Sequence, residues 1–363
     1  MIKIVIAAIC IALLLGSRSK QTNDLKAPIT DTLIYPGEHH FKNMRQLTFG
    51  GDNAEAYFSF DGKYIIYQHN DPQHGILCDQ IWMGKIPESP DEPFVPKLVS
   101  TGTGRTTCSY FYPDGKHILY ASTHLASAEC PPVPDRKKLK RYIWPIYESY
   151  DIFEADTNGH IIKQLTDTKG YDAEATISPA GNKIIFTSMR NDDLDLYTMD
   201  PDGTNVRQIT NTLGYDGGAW FSPDGKKIVW RASRPKTKEE IDDYKNLLSQ
   251  NLVAPTSMEV FVANADGSDA HQITFLDKAN WAPNFTPDGK HIIFCSNHEY
   301  ERGFPFNMYL TDINGKGLEK ISRDKGFDAF PMFSPDGKRI IFSSNRNNGG
   351  GNDINIFIAD WVE

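Results

Sequence analysis

Six polar residues recur at one position of an internal repeat, and they are the first candidates for chemistry. Each lies five residues before the aromatic or aliphatic residue that opens a repeated turn motif, and the six are Asn53, Thr106, Asp172, Asp216, Asn280 and Asp328. Carboxylate and amide oxygens that converge in this way can hold a polar ligand or a hard cation. The same residue types also hydrogen-bond to their own backbone in turns, so a structural role is the competing interpretation.

Several residues break the repeat close to these positions. Glu55 and Glu174 each lie two residues further along the chain, while Arg105 and Trp281 lie beside the repeated position. Irregular residues on a repetitive scaffold mark places where a ligand is recognised rather than where the fold is built. The sequence therefore predicts one set of ligand-binding candidates, comprising Asn53, Glu55, Arg105, Asp172, Glu174, Asp216, Asn280, Trp281, Asp328 and Trp144.

A second aligned set contains histidine or arginine in every copy of the repeat: His124, Arg190, Arg234, His298 and Arg346, with His69 one or two places out of line. His69, His124 and His298 are candidates for metal ligands if the fold brings them together. The alternative is that histidine replaces a structural arginine. The sequence predicts no cofactor, with a divalent cation as the open alternative.

The element that positions these residues is a hairpin, seen in the stretch "FSPDGKRIIFSSNR" from Phe333 to Arg346. In its turn, Ser334 to Gly337, proline presets φ and glycine takes the left-handed conformation that a tight hairpin needs. The apolar run Ile340 to Phe342 follows, and its brevity and β-branched residues predict a strand that is buried on both faces.

This hairpin occurs six times, with copies that begin at Phe58, Phe111, Ile177, Phe221, Phe285 and Phe333. A short strand such as "RQLT" also occurs six times, beginning at Arg45, Lys97, Lys163, Arg207, His271 and Glu319. With a third strand between the two, each unit has four strands, which predicts an all-β, six-bladed β-propeller. The last unit lacks its fourth strand, so we expect Met44 to Thr48 to complete it and close the ring.

The stretches "FSPDGKRIIFSSNR" and "NADGSDAHQIT" resemble the WD40-like (PD40) repeat of TolB-type propellers, over about Arg45 to Glu363. The resemblance implies the propeller fold and an exported location. It also implies that an arginine at the aligned position pairs with an acidic residue of its own blade. TolB itself has an α/β domain before the propeller, for which the residues before Met44 leave no room.

Composition and the first residues limit location and partners. The formal charge of −9 over 363 residues gives no reason to expect nucleic acid or an anionic membrane surface as a partner. Lys3, the apolar run Ile4 to Leu15 and the small residues after it are typical of a secretory signal. We therefore expect a signal peptide over 1–19, a linker over 20–43 and a single propeller over 44–363. The mature chain is expected to be a periplasmic or secreted monomer without a membrane span.

Export places four cysteines, Cys78, Cys108, Cys130 and Cys295, in an oxidising compartment. Four cysteines allow three full pairings. Cys108 with Cys130 is the preferred pair, because both belong to one hairpin and its exit loop. Isolated buried thiols are the alternative.

Two long insertions, 125–150 and 235–257, each follow the second strand of a blade. In a propeller they share one face, opposite to the face of the "PDG" turns, and long loops on a rigid scaffold commonly carry function. In the second, Thr237 and Glu240 form a predicted capping box that starts an amphipathic helix through Leu248. The first runs from a proline-rich start through the basic run Arg136 to Arg141 into several aromatic residues, including Trp144. These residues either bind a partner or pack on the core.

No G-x-S-x-G, H-E-x-x-H, P-loop or Rossmann glycine motif is present, which disfavours the enzyme classes that use them. The first hypothesis is a non-catalytic module that binds a protein, peptide or glycan through the insertion-bearing face, or that acts as a scaffold. The alternative is a metal-dependent lyase or hydrolase acting on an acidic polysaccharide at the channel mouth. Fold alone does not decide between them.

Overall fold

The computed structural model describes residues 31–301 and 303–363, and it is a six-bladed β-propeller of four-stranded antiparallel blades. The all-β prediction and the predicted number of blades are confirmed. The predicted signal peptide lies outside the described residues, as does the first part of the predicted linker. Among the residues described, no helix is long and apolar enough to cross a membrane.

The first three blades follow one another along the chain, and their strands are given from the channel outwards. Blade 1 contains Asp52–Phe58, Tyr64–Asp71, Ile76–Lys85 and Lys97–Leu98. Blade 2 contains Thr106–Phe111, His117–Ser122, Asp151–Asp156 and Ile161–Gln164. Blade 3 contains Asp172–Ile177, Ile184–Ser188, Asp195–Met199 and Arg207–Gln208.

The last three blades repeat the arrangement. Blade 4 contains Asp216–Phe221, Lys227–Ala232, Glu259–Asn264 and His271–Gln272. Blade 5 contains Asn280–Phe285, His291–Ser296, Asn307–Asp312 and Glu319–Lys320. Blade 6 contains Asp328–Phe333, Arg339–Ser344, Asn355–Trp361 and, as its outermost strand, Phe41–Gln46.

The N-terminal strand closes the ring as predicted, although it begins at Phe41 rather than Met44. Residues 31–40, part of the predicted linker, also pack on blade 6. They include a 3-10 turn, Asp31–Leu33, and the buried carboxylate of Glu38, which contacts the Arg346 guanidinium at 3.2 Å. Closure therefore uses side-chain contacts from the residues before the strand as well as backbone pairing.

The "PDG" turns form a ring of their own on one face. In the last copy, Gly337 has φ +71°, its N–H donates to the Ser334 carbonyl at 2.8 Å, and the Ser334 hydroxyl donates to Asp336 at 2.6 Å. A Cβ at Gly62 would lie 3.5 Å from Pro335, so the turns of blades 1 and 6 are neighbours. The equivalent proximity of Gly181 to Pro113 shows the same packing between blades 3 and 2.

The two insertions form a single cap on the propeller. The predicted helix is present as α2, Lys238–Leu248, with Thr237 as N-cap and a complete capping box, after a short helix α1, Arg136–Leu139, in the first insertion. The segments Trp144–Pro145 and Leu252–Val253 pair as a two-stranded antiparallel sheet. This pairing joins insertions from different blades, so the cap is one structure.

The one further 3-10 turn of the described residues is Pro72–His74, between the second and third strands of blade 1.

The preferred cysteine pair was wrong. Cys130 of the first insertion bonds to Cys78 in the third strand of blade 1, with 5.9 Å between the Cα atoms. Cys108 and Cys295 are free thiols. Cys108 lies on an innermost strand and lines a cavity at the channel, whereas Cys78 lies near the start of the third strand of blade 1. The disulfide therefore ties the cap to a neighbouring blade rather than closing its own hairpin.

Candidate functional site

Every innermost strand is interrupted by a bulge at the same place. The register with the second strand shifts between Ala54 and Tyr57 in blade 1, and at the corresponding place in all five other blades. One residue in each bulge has a left-handed φ of 49° to 61°, and these residues are Glu55, Cys108, Glu174, Gly218, Ala282 and Phe330. Such a conformation is costly for residues other than glycine and is often found where a side chain is redirected at a functional site.

All six left-handed residues line one cavity at the channel mouth, with a volume of about 330 Å³. Blades 1 to 3 contribute Glu55, Cys108 and Glu174, whereas blades 4 to 6 contribute glycine, alanine and phenylalanine. At this position of the strand, blades 1 to 3 therefore present polar side chains to the cavity and blades 4 to 6 present small or apolar ones. A cavity of this size with a few fixed polar groups is typical of a small-ligand site.

Glu174 is held by a dense set of donors. Its carboxylate accepts hydrogen bonds from the Tyr215 hydroxyl at 2.5 Å, the Arg231 guanidinium at 2.6 Å and the Gly218 backbone N–H at 2.8 Å. The Thr187 hydroxyl donates to it at 2.8 Å as well. With its oxygens satisfied and its side chain buried, Glu174 is a fixed part of the wall.

Arg231 supplies the compensating charge and fills the space that Gly218 leaves open. A Cβ on Gly218 would lie only 1.9 Å from an Arg231 nitrogen, so only glycine allows the guanidinium to take this place. Arg231 is 7% exposed, and its Nε has no hydrogen-bond acceptor among the described residues. The group therefore retains a donor beside the cavity.

Glu55 differs from Glu174 in having almost no partners. Its carboxylate interacts with the Cys108 thiol, and among the described residues no set of donors like the four of Glu174 reaches it. Burial, followed by the negative charge of Glu174, raises the pKa of Glu55 to about 7, although Arg231 opposes the shift. At neutral pH this carboxyl is poised between its charged and neutral forms.

A second ion pair lies at the edge of the same cavity. Arg105 binds the carboxylate of Asp79, and both side chains line the cavity. The Arg105 Nε has no acceptor among the described residues. Like Glu174 with Arg231, this pair presents fixed dipoles to the cavity with no net charge.

The cap forms the roof of the cavity through aromatic side chains of the first insertion. Tyr142, Trp144, Tyr147 and Tyr150 all line it. The roof is held to the second insertion by a bidentate Arg141–Asp243 ion pair, 2.8 Å at each nitrogen, and by the Ile146 N–H donating to the Asn251 carbonyl at 2.7 Å.

Trp281 connects this roof to the apolar wall. Its indole N–H donates to the Pro255 carbonyl of the second insertion at 2.8 Å. Its ring lies 5.2 Å from that of Trp144 and 6.0 Å from that of Tyr142, measured between ring centroids. The side chain is buried, and it serves both as a wall of the cavity and as a support of the cap.

The structure brings five of the ten predicted ligand-binding residues together in this cavity: Glu55, Arg105, Trp144, Glu174 and Trp281. The other five, Asn53, Asp172, Asp216, Asn280 and Asp328, are buried within the blades and do not line it. Asp172, Asp216 and Asp328 pair with arginines of their own blades, Arg190, Arg234 and Arg346. Asn53 and Asn280 donate to backbone carbonyls, of Gly50 at 3.0 Å and of Met258 at 2.8 Å. These five hold the blades together.

The candidate metal ligands are likewise separated by the fold. His124 and His298 each contact a serine hydroxyl of their own strand, Ser122 at 3.0 Å and Ser296 at 2.9 Å. The His69 ring packs edge-on against Trp82 of its own blade. Within 31–301 and 303–363, no three His, Cys, Asp or Glu side chains are grouped so that they could hold a metal ion.

Sequence reasoning did not identify five further residues that line the cavity: Arg231, Cys108, Tyr57, Tyr171 and Tyr215. A signal for Arg231 was present, because aligned second strands carry Gln68, Ala121, Thr187, Arg231, Cys295 and Ser343 at this position. Arg231 is the single charged residue in an otherwise small or neutral series, and it pairs with Gly217 of a glycine-containing inner strand, which marks a break in the repeat. The bulge that turns Cys108 towards the channel has no such signal.

Comparison with known proteins supports the fold and the repeat type. Residues 252–358 match the family model described as PD40, the TolB beta propeller domain. A protein described as TolB from Agrobacterium tumefaciens is 17% identical with a TM-score of 0.56, covering 86% of this chain and 91% of its own. TolB from Acinetobacter baumannii is 19% identical with the same TM-score, covering 83% of this chain and 64% of its own.

An oligogalacturonate lyase in complex with manganese is 14% identical with a TM-score of 0.49, covering 88% of this chain and 93% of its own. No curated protein matches the sequence. The predicted resemblance to TolB-type propellers is confirmed, and at these identities the likeness concerns the fold alone.

Proposed function

We propose that this TolB-like six-bladed propeller is an exported binding module that holds part of a peptide or glycan ligand in the roofed cavity of its insertion-bearing face. The observation that carries the proposal is the joining of two insertions into one aromatic roof over a polar channel mouth. Packing alone does not require insertions of different blades to enclose a cavity. Aromatic walls with a few placed charges suit a sugar ring or a peptide side chain.

The polar groups of the cavity favour binding over a purely structural role. Arg105 and Arg231 each keep an unpaired Nε, and Glu55 keeps a nearly unpartnered carboxylate. Buried polar groups without partners cost free energy, and a bound ligand that supplies partners recovers it. Cavity-facing groups left incomplete in this way are expected in a site that is completed by its ligand.

Export of the chain is part of the proposal. The predicted signal over 1–19 and the Cys78–Cys130 disulfide both support a periplasmic or secreted location, because disulfides persist in oxidising compartments. A partner protein would then be met on the same face, around the rim of the roof.

Intrinsic tryptophan fluorescence tests the proposal, because Trp144 and Trp281 line the cavity. The purified chain is titrated with short neutral, acidic and basic peptides and with disaccharides of the same charge types. We expect saturable quenching by at least one class. In Trp144→Ala, where Trp220 and Trp281 remain as reporters in the cavity, the quenching curve should shift to higher ligand concentration. Phe275→Ala, which removes an exposed aromatic side chain outside the cavity, is the matched control and should bind normally. Equal titrations for wild type and Trp144→Ala would refute binding at this cavity.

A second candidate is a lyase or hydrolase that acts on an acidic polysaccharide, and Glu55 is the observation that favours it. A carboxyl with a pKa of about 7, in a cavity that Arg105 and Arg231 also line, has the properties of a general acid or base. Its test is incubation with oligogalacturonate and other acidic glycans, with and without added manganese, while ultraviolet absorbance and reducing ends are followed. Turnover that is lost in Glu55→Gln would favour the enzyme, and no turnover on any acidic glycan would leave the binding module.

A further inference from the structure

We infer that the cavity recognises a primary ammonium group carried on an apolar stem, with Glu55 as its counter-ion and the aromatic walls around the stem. This inference rests on the proposed binding function and narrows its ligand class. It starts from the charges that face the cavity, which are those of Glu55, Asp79, Arg105, Glu174 and Arg231.

Charge pairing leaves one of these five groups uncompensated. Arg231 contacts Glu174 at 2.6 Å, and Arg105 binds Asp79, so both arginines are already matched by carboxylates. Glu55, when ionised, is left as a single negative charge that interacts with a thiol. The ligand that balances the cavity therefore carries one positive charge.

The backbone shows that Glu55 is directed into the cavity. Its φ of +54° belongs to the left-handed region, which costs a non-glycine residue free energy. Blade 4 has glycine at the equivalent position and blade 5 has alanine, so the bulge itself does not require a carboxylate. The bulge presents the Glu55 side chain to the cavity instead of burying it within the blade.

The walls around this carboxylate suit a cation better than a second anion. Tyr57, Tyr171, Trp220 and Trp144 line the same cavity, and the faces of aromatic rings attract cations. An apolar stem can pack along these rings while its ammonium group reaches Glu55. An anionic ligand would instead place a second negative charge beside Glu55, because the two ion pairs carry no net charge.

Two sources of such a group are open to test: a lysine side chain of a peptide and a free small amine. The probes are Nα-acetyl-lysine amide with its Nε-acetylated form, and phenethylamine with N-acetylphenethylamine. Digalacturonate serves as the anionic probe. Binding is measured by calorimetry at pH 8, where the amines are charged and most of Glu55 is ionised.

We expect each amine to bind at least about tenfold more tightly than its acetylated form, because the ion pair is lost on acetylation. Glu55→Gln should abolish this preference, while Glu239→Gln, an exposed glutamate on α2, should preserve it. Lowering the pH from 8 to 6 should weaken amine binding about tenfold in wild type and have little effect in Glu55→Gln, because protons compete for Glu55. Tighter binding of Nα-acetyl-lysine amide would identify a lysine side chain as the natural ligand group, and tighter binding of phenethylamine would identify a free small amine.

Equal binding of charged and acetylated probes, or tighter binding of digalacturonate, would overturn the ammonium inference. If the acetylated probes or digalacturonate bind the wild type and do not bind Trp144→Ala, the proposed binding function of the cavity stands, although the ammonium inference fails. If no amine probe, digalacturonate, peptide or disaccharide binds, both the ammonium inference and the proposed binding function are rejected.

Discussion

Trp144 of the first insertion covers Arg231 of blade 4, with 5.4 Å between the guanidinium carbon and the centre of the ring. One side of the same guanidinium binds Glu174 of blade 3. The cap, two blades and the cavity wall therefore meet at a single buried cation. Changes at this point should affect both stability and binding.

Replacement of Arg231 by methionine should destabilise the protein by about 3–5 kcal/mol, because Glu174 would be left as a buried carboxylate without its cation. The double variant Arg231→Met, Glu174→Gln should recover a large part of the loss, since the buried charge is then gone as well. Urea unfolding of the single and double variants measures both effects. A single variant as stable as wild type would contradict the assigned role of the pair.

Gly218→Ala should be far more costly than Gly225→Ala, although both glycines have a left-handed φ, +61° and +69°. A Cβ at Gly218 meets an Arg231 nitrogen at 1.9 Å, whereas at Gly225 the nearest atom is 4.0 Å away. The left-handed backbone alone costs alanine about 1–2 kcal/mol, and overpacking adds about 1–3 kcal/mol. Thermal unfolding compares the two, and equal losses would show that Arg231 is free to move aside.

Loss of the disulfide should loosen the cap and leave the blades folded. Cys130→Ser frees the first insertion from blade 1, so we expect faster hydrogen exchange and proteolysis within 125–150, with a loss of about 2–4 kcal/mol in the free energy of unfolding. Cys108→Ser is the control and should keep the cap protected, because Cys108 is a free thiol. A Cys108–Cys130 peptide in a non-reducing digest would refute the pairing.

Stability should fall between pH 5 and pH 8, with part of the fall due to Glu55. Burial raises the pKa of Glu55 to about 7 from its ordinary 4.5, so the folded protein holds this proton more tightly than the unfolded chain. Its stabilising contribution is complete below the unfolded pKa and is lost as the pH rises through 7. Glu55→Gln should therefore flatten the profile by roughly 2–3 kcal/mol between pH 5 and pH 8, measured by urea unfolding at several pH values.

The matched control for this pH profile is Glu239→Gln, which removes an exposed carboxylate of α2. Its profile should follow that of the wild type. If Glu55→Gln and Glu239→Gln give the same curve, Glu55 titrates as an ordinary surface acid.

The repeated hairpin, the number of blades, closure by an N-terminal strand and the capping box at Thr237 were all predictable. Each depends on residues close together in sequence, or on a pattern that recurs with a fixed order of strands. Turn residues such as Gly337 and buried runs such as Ile340 to Phe342 specify their own conformation, so local chemistry was sufficient.

Half of the predicted site residues lie buried within the blades and half line the cavity, and only the tertiary structure separates the two groups. Asp172 and Glu174 are two residues apart on one strand, yet Asp172 binds Arg190 within its blade while Glu174 lines the cavity. The bulge that contains Glu174 decides this, because it changes the direction of that side chain without any clear mark in the sequence.

Contacts across long stretches of chain were decided in the same way. The cap forms where Trp144 meets Val253, and the disulfide joins Cys78 to Cys130 across 52 residues of sequence. Composition and periodicity report what each segment prefers by itself. Which segments meet, and therefore which charges share a cavity, depends on how the closed ring of blades arranges them in space.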